Sequence, residues 1–292
     1  MKNILRLTGF SGLLWKEAYF KQCAQEVGWV NVDIISYLDL FYDIDWKFKF
    51  IETQKLLCDY DYFWIGGTRG LPFKSSFIYY YIHLLKKKII DSRVALTLDM
   101  SKLSQIVVLN YLSIPIPKSL FFVNTRNLLE TKIEIIEERF SYPMVLKDPT
   151  LDRGEWVSLV ENKLQLRKYL EDAMPWNCVL IQEFIENDWD YRVIATRKGI
   201  LGVIKRYNKN DFRNNISVWG ESQVIENLPE AVENATAQIL EKYGLDVAGI
   251  DFFIKWNEFY VIEINDLPQY SAFEKATWVS YPVAVLEYIK NL

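Results

Sequence analysis

The chain has 292 residues, half of them hydrophobic and a quarter charged, with 38 acidic against 34 basic side chains. That is enough chain for two or three packed layers or two domains, in the composition of an ordinary globular protein. A net charge of −4 argues against a general nucleic-acid or anionic-membrane binder, which would carry a basic footprint. No apolar stretch is long enough to span a bilayer, and the N-terminal MKNILRLTGF lacks the layout of a signal peptide. Cys23, Cys58 and Cys178 are scattered and odd in number, without zinc-ligand or disulfide spacing. The expectation is a cytoplasmic protein with no nucleic-acid and no membrane partner. The one histidine, His83 in YYYIHLLKKK, reads as a residue of an aromatic-flanked helix. Catalysis would then fall to Lys, Arg, carboxylates and a metal.

In chain order, ILRLTGF is strand-like and ends at Gly9 and Gly12, KEAYFKQCAQEVG is a helix stopped by Gly28, and VNVDIISY is a strand. IETQKLLCD reads as a helix, YDYFWIGG as a strand and SSFIYYYIHLLKKK as a further helix. Alternating strand and helix predicts a parallel α/β layer over about the first 95 residues. TGFSG and IGGTRG look like ordinary turns after strands. In DMSKLSQIVVLNYLSIPIP, Ser101 caps a helix with Lys102 in its first turn, and SIPIP ends it because proline and its predecessor resist α geometry. From about residue 143 the chain is strand-rich: PMVLK, WVSLV, CVLIQEFI, YRVIAT and ILGVIKR. The helix PEAVENATAQILEKYG follows, closed by Gly244, and VAVLEYIKNL is a final helix.

Between those helices lies AGIDFFIKWNEFYVIEIN, two apolar strands about a polar break at Trp256-Asn257-Glu258. A three-residue turn centred on Asn257 sets Asp251 opposite Glu263, with Asn265 on the same sheet face. Facing carboxylates destabilise a hairpin unless something neutralises them. A hard divalent cation with oxygen ligands does so, and Mg²⁺ is typically shared between carboxylates and phosphate oxygens. Asp251, Glu263 and Asn265 are therefore the candidate metal ligands of a nucleotide site.

Other residues fit around that site. Lys147 ends PMVLK before DPTLDRGEWV, a turn whose backbone N–H groups suit phosphate while the lysine supplies a positive point charge. The strand leaving through Glu183-Phe184-Ile185 offers backbone groups to an adenine edge, and Glu186 is placed to accept from ribose hydroxyls. DYRV and IKRYNKNDFRNN gather Arg192, Lys205, Arg206, Arg213, Asn214 and Asn215, positive charge suited to a polyphosphate.

Taken in order, these pieces resemble the ATP-grasp superfamily, and within it the RimK-like carboxylate–amine ligases. The matching segments run from Asp99–Lys102 through YPMVLKDPTLDRGEWVSLVEN, VLIQEFIENDWDYRVI and IKRYNKNDFRNNISVWGES to GLDVAGIDFFIKWNEFYVIEINDLPQYSAFEKATW. The resemblance implies an N-terminal Rossmann-like pre-ATP-grasp layer over 1–95. An ATP-grasp domain of two α+β subdomains would follow over 96–292, lid-bearing over 96–178 and metal-binding over 179–292. It implies ATP with Mg²⁺, two ions bridged by Glu263, or Mn²⁺ in their place. Lys102 and Lys147 would contact phosphates, with Lys205 and Asn215 also on the nucleotide. The Asp152–Val157 loop, with Arg153 and Gly154, would close over them. Gln182, Glu183, Phe184 and Ile185 would line the adenine, with Glu186 or Asp190 at the ribose. Arg192, Arg206 and Arg213 would serve the transferring phosphate or the acyl substrate. The implied reaction joins a small-molecule or peptide carboxylate to an amine or amino acid. The carboxylate attacks the γ-phosphorus, and an amine displaces phosphate from the resulting acylphosphate. The alternatives are a non-catalytic nucleotide binder and an ATP-grasp phosphotransferase.

The same resemblance implies glycine at Trp156, near Trp219 and at Trp278, and Trp256 fills a turn where a small residue is expected. Composition agrees: there are 12 Gly and 10 Trp, where typical usage of about 7% glycine gives roughly 20. Two readings follow: a degenerate binder with a plugged phosphate loop, or a bacterial lineage in which UGA encodes glycine and has been translated as Trp. The intact Lys147, Asp251, Glu263 and Asn265 favour the second. UGA codons at 156, 219 and 278 are expected in the coding DNA; UGG at all three removes the decoding explanation.

Overall fold

A computed structural model describes residues 1–8, 14–36, 42–43, 49–50, 55–65, 80–91, 100–125, 127–149, 157–173, 177–207, 221–255 and 258–292. The first layer is a parallel sheet of β1 (Lys2–Thr8), β2 (Val30–Ser36), β5 (Tyr62–Ile65) and β6 (Lys88–Ile90), in the order β2-β1-β5-β6. Two-residue strands β3 (Tyr42–Asp43) and β4 (Lys49–Phe50) pair separately. Helix α1 (Leu14–Val27) ends at Gly28, whose φ of 70° is the left-handed turn glycine makes without cost.

Two expectations in this layer change. The segment 51–59 shows a helix only as the short 3₁₀ turn Leu57–Asp59, and 51–54 lie outside the described residues. The helix expected to run to Lys88 stops by Leu85–Lys86, where Lys86 has φ 52°, and Lys88 opens β6. Three successive lysines hid that strand, because the core-facing residue that marks it is Ile90. His83 is exposed on the helical turn before it.

The middle layer is antiparallel, with β7 (Ser119–Val123), β8 (Met144–Lys147), β9 (Val157–Val160) and β10 (Cys178–Glu183) in the order β7-β10-β8-β9. Helices α3 (Leu129–Arg139) and α4 (Lys163–Asp172) cover it through Ile133, Ile136, Leu166 and Leu170. Strand β7 and both helices were not anticipated from the sequence. Preceding them, α2 (Lys102–Tyr111) is capped as expected, Ser101 Oγ accepting from Ser104 N at 3.3 Å.

The third layer carries the hairpin. Strands β11 (Asp190–Thr196), β12 (Gly199–Tyr207), β13 (Glu221–Val224), β14 (Val247–Lys255) and β15 (Glu258–Asn265) form an antiparallel sheet in the order β13-β12-β11-β14-β15. One face packs on α5 (Glu230–Tyr243), closed as expected by Gly244 with φ 72°. The other face is apolar at one end, where Ile194, Ile204 and Val247 join Trp64, Tyr281 and Phe273 in a core shared with the parallel sheet. Phe273 belongs to α6 (Ser271–Thr277), also unanticipated, and Tyr281 opens α7 (Tyr281–Lys290), the expected final helix. At the other end the same face turns charged.

The strands β14 and β15 pair as anticipated at the critical point, Asp251 with Glu263, but by another route. Lys255 pairs with Glu258, so two residues join the strands rather than three. A bulge then lets Phe252 pair with Val261 and Asp251 with Glu263, Ile262 being the extra residue. The bulge resolves a parity problem: Val261 and Ile264 both pack toward α5, which an odd spacing of three forbids in a regular strand.

Trp278 follows α6 at the helix C-cap with φ 60° and ψ 12°, and is 92% exposed. A left-handed cap is where glycine has no Cβ penalty, and an indole here gains almost no burial to offset the strain. Positions 156, 219 and 256 lie outside the described residues. Trp278→Gly is expected to stabilise the protein by about 1 kcal/mol, raising Tm by roughly 2–4 °C in calorimetry; a fall in Tm would mean that the tryptophan is structurally required.

Candidate functional site

A row of charged side chains crosses the third sheet. Register pairs Arg206 with Asp190, Arg192 with Asp251, and Asp251 with Glu263, so their side chains share one face. Arg192 grips Asp251 in a fork, Nε to Oδ1 and Nη2 to Oδ2, both at 2.7 Å. Arg206 holds Asp190 the same way at 2.7 and 2.6 Å, and its Nη2 also lies 3.1 Å from Asp251 Oδ1. All four groups are buried. Burial pushes the Asp251 carboxyl up, but two guanidiniums outweigh it and hold its pKa below the ordinary range. Burial raises that of Asp190, which has Arg206 for a partner and the Asp251 charge nearby. Arg206 is desolvated too, yet the two carboxylates raise its pKa.

The arginine fork is held from behind. Arg192 Nη1 also donates to the Gln269 carbonyl at 3.3 Å, in the loop after β15. That loop lies close because residue 249 is glycine: a Cβ there would sit 2.5 Å from Pro268 Cβ.

Next along the row, Glu263 faces Lys102 at 3.7 Å. What places Lys102 is Gln105, one turn further along α2. Its buried side chain accepts from Ile264 N at 2.8 Å and donates to Ile264 O at 2.9 Å, closing the free edge of β15 like a short strand. Helix α2 is thereby docked beside Glu263. Gln105 went unnoticed in the sequence, where a glutamine inside a helix looks solvated. Lys147, at the end of β8, completes the group from the middle layer. Burial, Glu263 and Lys102 all act on it; burial dominates and brings its pKa down to about 8. Two ammonium groups thus share one glutamate, an arrangement that favours a further anion.

The other expected nucleotide contacts lie along β10 and beyond. Gln182 is buried, its amide donating to Ser119 Oγ at 2.9 Å. Glu183 accepts from Lys118 N at 2.7 Å through Oε1. Phe184, Ile185 and Glu186 have left the strand, and Glu186 is exposed. Lys205 stands 4.3 Å over the Trp189 ring. Asp190 is committed to Arg206, as described. Arg153, Gly154, Arg213 and Asn215 lie outside the described residues.

The oxygen donors can be weighed against a divalent cation. Glu263 and Asn265 fit: they share a face, and the buried Asn265 Nδ2 has no hydrogen-bond partner among the described residues, as in an amide whose polar contacts are still to be made. Asp251 is a hard donor already neutralised by two guanidiniums, so a metal would share it with Arg192. Among the described residues no three acidic, His or Cys side chains cluster at metal-binding distance. No helix among them is long and apolar enough to cross a membrane.

A family model described as the RimK-like ATP-grasp domain matches residues 99–289. A "Probable alpha-L-glutamate ligase" of Haemophilus ducreyi is 30% identical over 215 residues, 72% of this chain and 68% of that protein. The "Glutamate--LysW ligase ArgX" of Sulfurisphaera tokodaii is 29% identical over 61% of this chain and 64% of its own length. Among solved structures, the D-alanine–D-alanine ligase of Bacillus anthracis superposes with a TM-score of 0.70 at 17% identity, over 100% of this chain and 97% of that one.

The ion pairs make the two carboxylates unequal in stability. Asp251→Asn leaves two buried guanidiniums short of charge and is expected to cost about 3–5 kcal/mol in urea unfolding. Glu263→Gln is expected to cost less than about 1 kcal/mol. Equal losses would contradict the network drawn here.

Proposed function

The chain belongs to the RimK-like ATP-grasp family, ligases that form C–N bonds, and on that premise we propose that it is an ATP- and Mg²⁺-dependent carboxylate–amine ligase working through an acylphosphate. The observation that carries this reading is the meeting of Lys102 and Lys147 around Glu263, beside Asn265. An excess of half-buried positive charge next to hard oxygen donors suits a triphosphate with its metal. Lys102 and Lys147 bind the phosphates. Glu263, Asn265 and the shared Asp251 hold Mg²⁺, which when bound offsets charge on the transferring phosphate. Phe184 and Ile185, free of the strand ladder, present backbone groups to the base, and Glu186 accepts from the ribose. Arg192 and Arg206 act first on Asp251, fixing its orientation and keeping it ionised. Arg213, Asn215, Arg153 and Gly154 are assigned to the phosphates and the closing loop on the resemblance alone.

A substrate carboxylate attacks the γ-phosphorus, ADP leaves, and the amine then displaces phosphate from the acylphosphate to give the amide. Lys147 and Lys102 stabilise the charge that moves onto phosphate oxygens. The names of the glutamate ligases among its relatives support a glutamate-type amino acid as the amine and a peptide or small acid as acceptor.

The test is phosphate release from Mg-ATP across a panel of acids and amines, with products read by mass spectrometry. An amide product is expected, lost by at least a hundred-fold in Glu263→Gln, whose fold survives. Nucleotide binding without release would point to a non-catalytic binder, and a stable phosphorylated acid to a phosphotransferase. Full activity in both Glu263→Gln and Asp251→Asn would remove the metal assignment.

A further inference from the structure

The parallel sheet buries a cation of its own, remote from the charge row in sequence. Arg6 lies in β1 two residues before its carboxyl end and is only 8% exposed. Its guanidinium stands 4.6 Å from the Phe20 ring centroid and 4.5 Å from that of Trp64. Trp64 is its neighbour across β1 and β5, one residue before the end of that strand. Tyr270 and Tyr281 close the opposite side, their rings stacked at 4.6 Å, and both phenols face Arg6.

Arg6 makes no ion pair with a described residue; Tyr270 hydrogen-bonds its guanidinium, and Glu17 acts on it through charge alone. Desolvation accordingly lowers its pKa. Three shielded polar atoms at this one place have no hydrogen-bond partner among the described residues: Arg6 Nε, Trp64 Nε1 and the Tyr281 hydroxyl. Native proteins leave few such atoms; an indole N–H and a hydroxyl near the Nε–H of a guanidinium that has no ion-pair partner among the described residues form a receptor for an anion. A water molecule would satisfy hydrogen bonds but not the charge. A planar carboxylate answers both, since its two oxygens match a guanidinium edge and an adjacent N–H.

The location supports a substrate. Ligands of parallel α/β sheets bind beyond the carboxyl ends of the strands, and Arg6 and Trp64 stand just before two such ends. Tyr270 follows Gln269, whose carbonyl accepts from Arg192, which in turn grips Asp251. A short chain of contacts therefore joins this receptor to the proposed metal ligands. We propose that Arg6, Trp64 and Tyr281 bind a carboxylate of the amino-acid substrate and so set its amine toward the Asp251–Glu263 end of the sheet. This assignment rests on the ligase reading.

The probe is L-glutamate, titrated into the full chain with Mg-ADP present and followed by calorimetry and thermal shift. Wild-type protein is expected to bind it. Tyr281→Phe should weaken binding about ten-fold and Arg6→Met at least a hundred-fold, with Mg-ADP affinity unchanged. In turnover, Tyr281→Phe should raise KM for the amine by a similar factor with little change in kcat, a split that general loosening of the fold would not give. Should Arg6→Met fail to fold, Trp64→Phe and Tyr281→Phe decide. No L-glutamate binding by the wild type, or equal binding by the folded variants, overturns the proposal. The ligase reading fails separately, if wild-type protein binds Mg-ADP yet forms no amide with any amine; glutamate binding lost in Tyr281→Phe would still stand for the receptor.

Discussion

A carboxylate in the middle of a β-sheet cannot stay ionised alone, and the fork of Arg192 on Asp251 is what the charged face of this protein is built around. Removing a carboxylate from water costs far more than a hydrogen bond returns, so its charge survives only beside a matched cation. Here two guanidiniums supply that match, Arg192 from the adjacent strand and Arg206 from the strand beyond it. The result is a row of opposite charges whose members neutralise one another before any ligand arrives. Asp251 is therefore charged and oriented in advance, and Glu263 and Asn265 form the less committed half of the oxygen set.

The geometry around that row is set by backbone-level devices rather than by charge. A glutamine side chain occupies the hydrogen-bonding edge of β15 and fixes the helix that bears Lys102. A glycine admits a proline ring against β14 and brings the following loop under Arg192. A bulge of one residue lets an apolar pair face α5 while Glu263 keeps its place opposite Asp251. Each acts at a distance of one turn or one strand from the group it positions. Two layers and a helix also meet here: Lys147 comes from the middle sheet, Lys102 from the helix that leads into it, and Glu263 from the last hairpin.

Much of this was legible in the sequence, for identifiable reasons. Asp251 facing Glu263 followed from strand periodicity about a polar break, and it held even though the turn is shorter than expected, because the bulge restored the count. Gly28 and Gly244 marked helix ends because a left-handed cap selects glycine. The helices over 129–139 and 163–172 were missed because charged residues crowd their apolar positions, leaving Ile133, Ile136, Leu166 and Leu170 as a sparse stripe. Strand β6 was lost behind a lysine run. Gln105 and Arg6 could not be read at all: a polar residue inside an element looks solvated until the fold shows what covers it. The roles of Arg192 and Asp190 were obscured likewise, since a charged residue alternating with apolar ones predicts an inward direction but not a partner.

The glutamine on β15 has one more effect. The outermost strand of an open sheet presents unpaired N–H and C=O groups that another extended chain can join, a common route to aggregation. Between Asp251's hairpin and the solvent, Gln105 engages both backbone groups of Ile264, and Pro115 accepts from Val261 N at 2.8 Å. The enzyme's own polypeptide thus blocks the border where a foreign strand would zip on. The hairpin that carries the oxygen donors is protected from self-assembly by the same residue that sets Lys102 beside them.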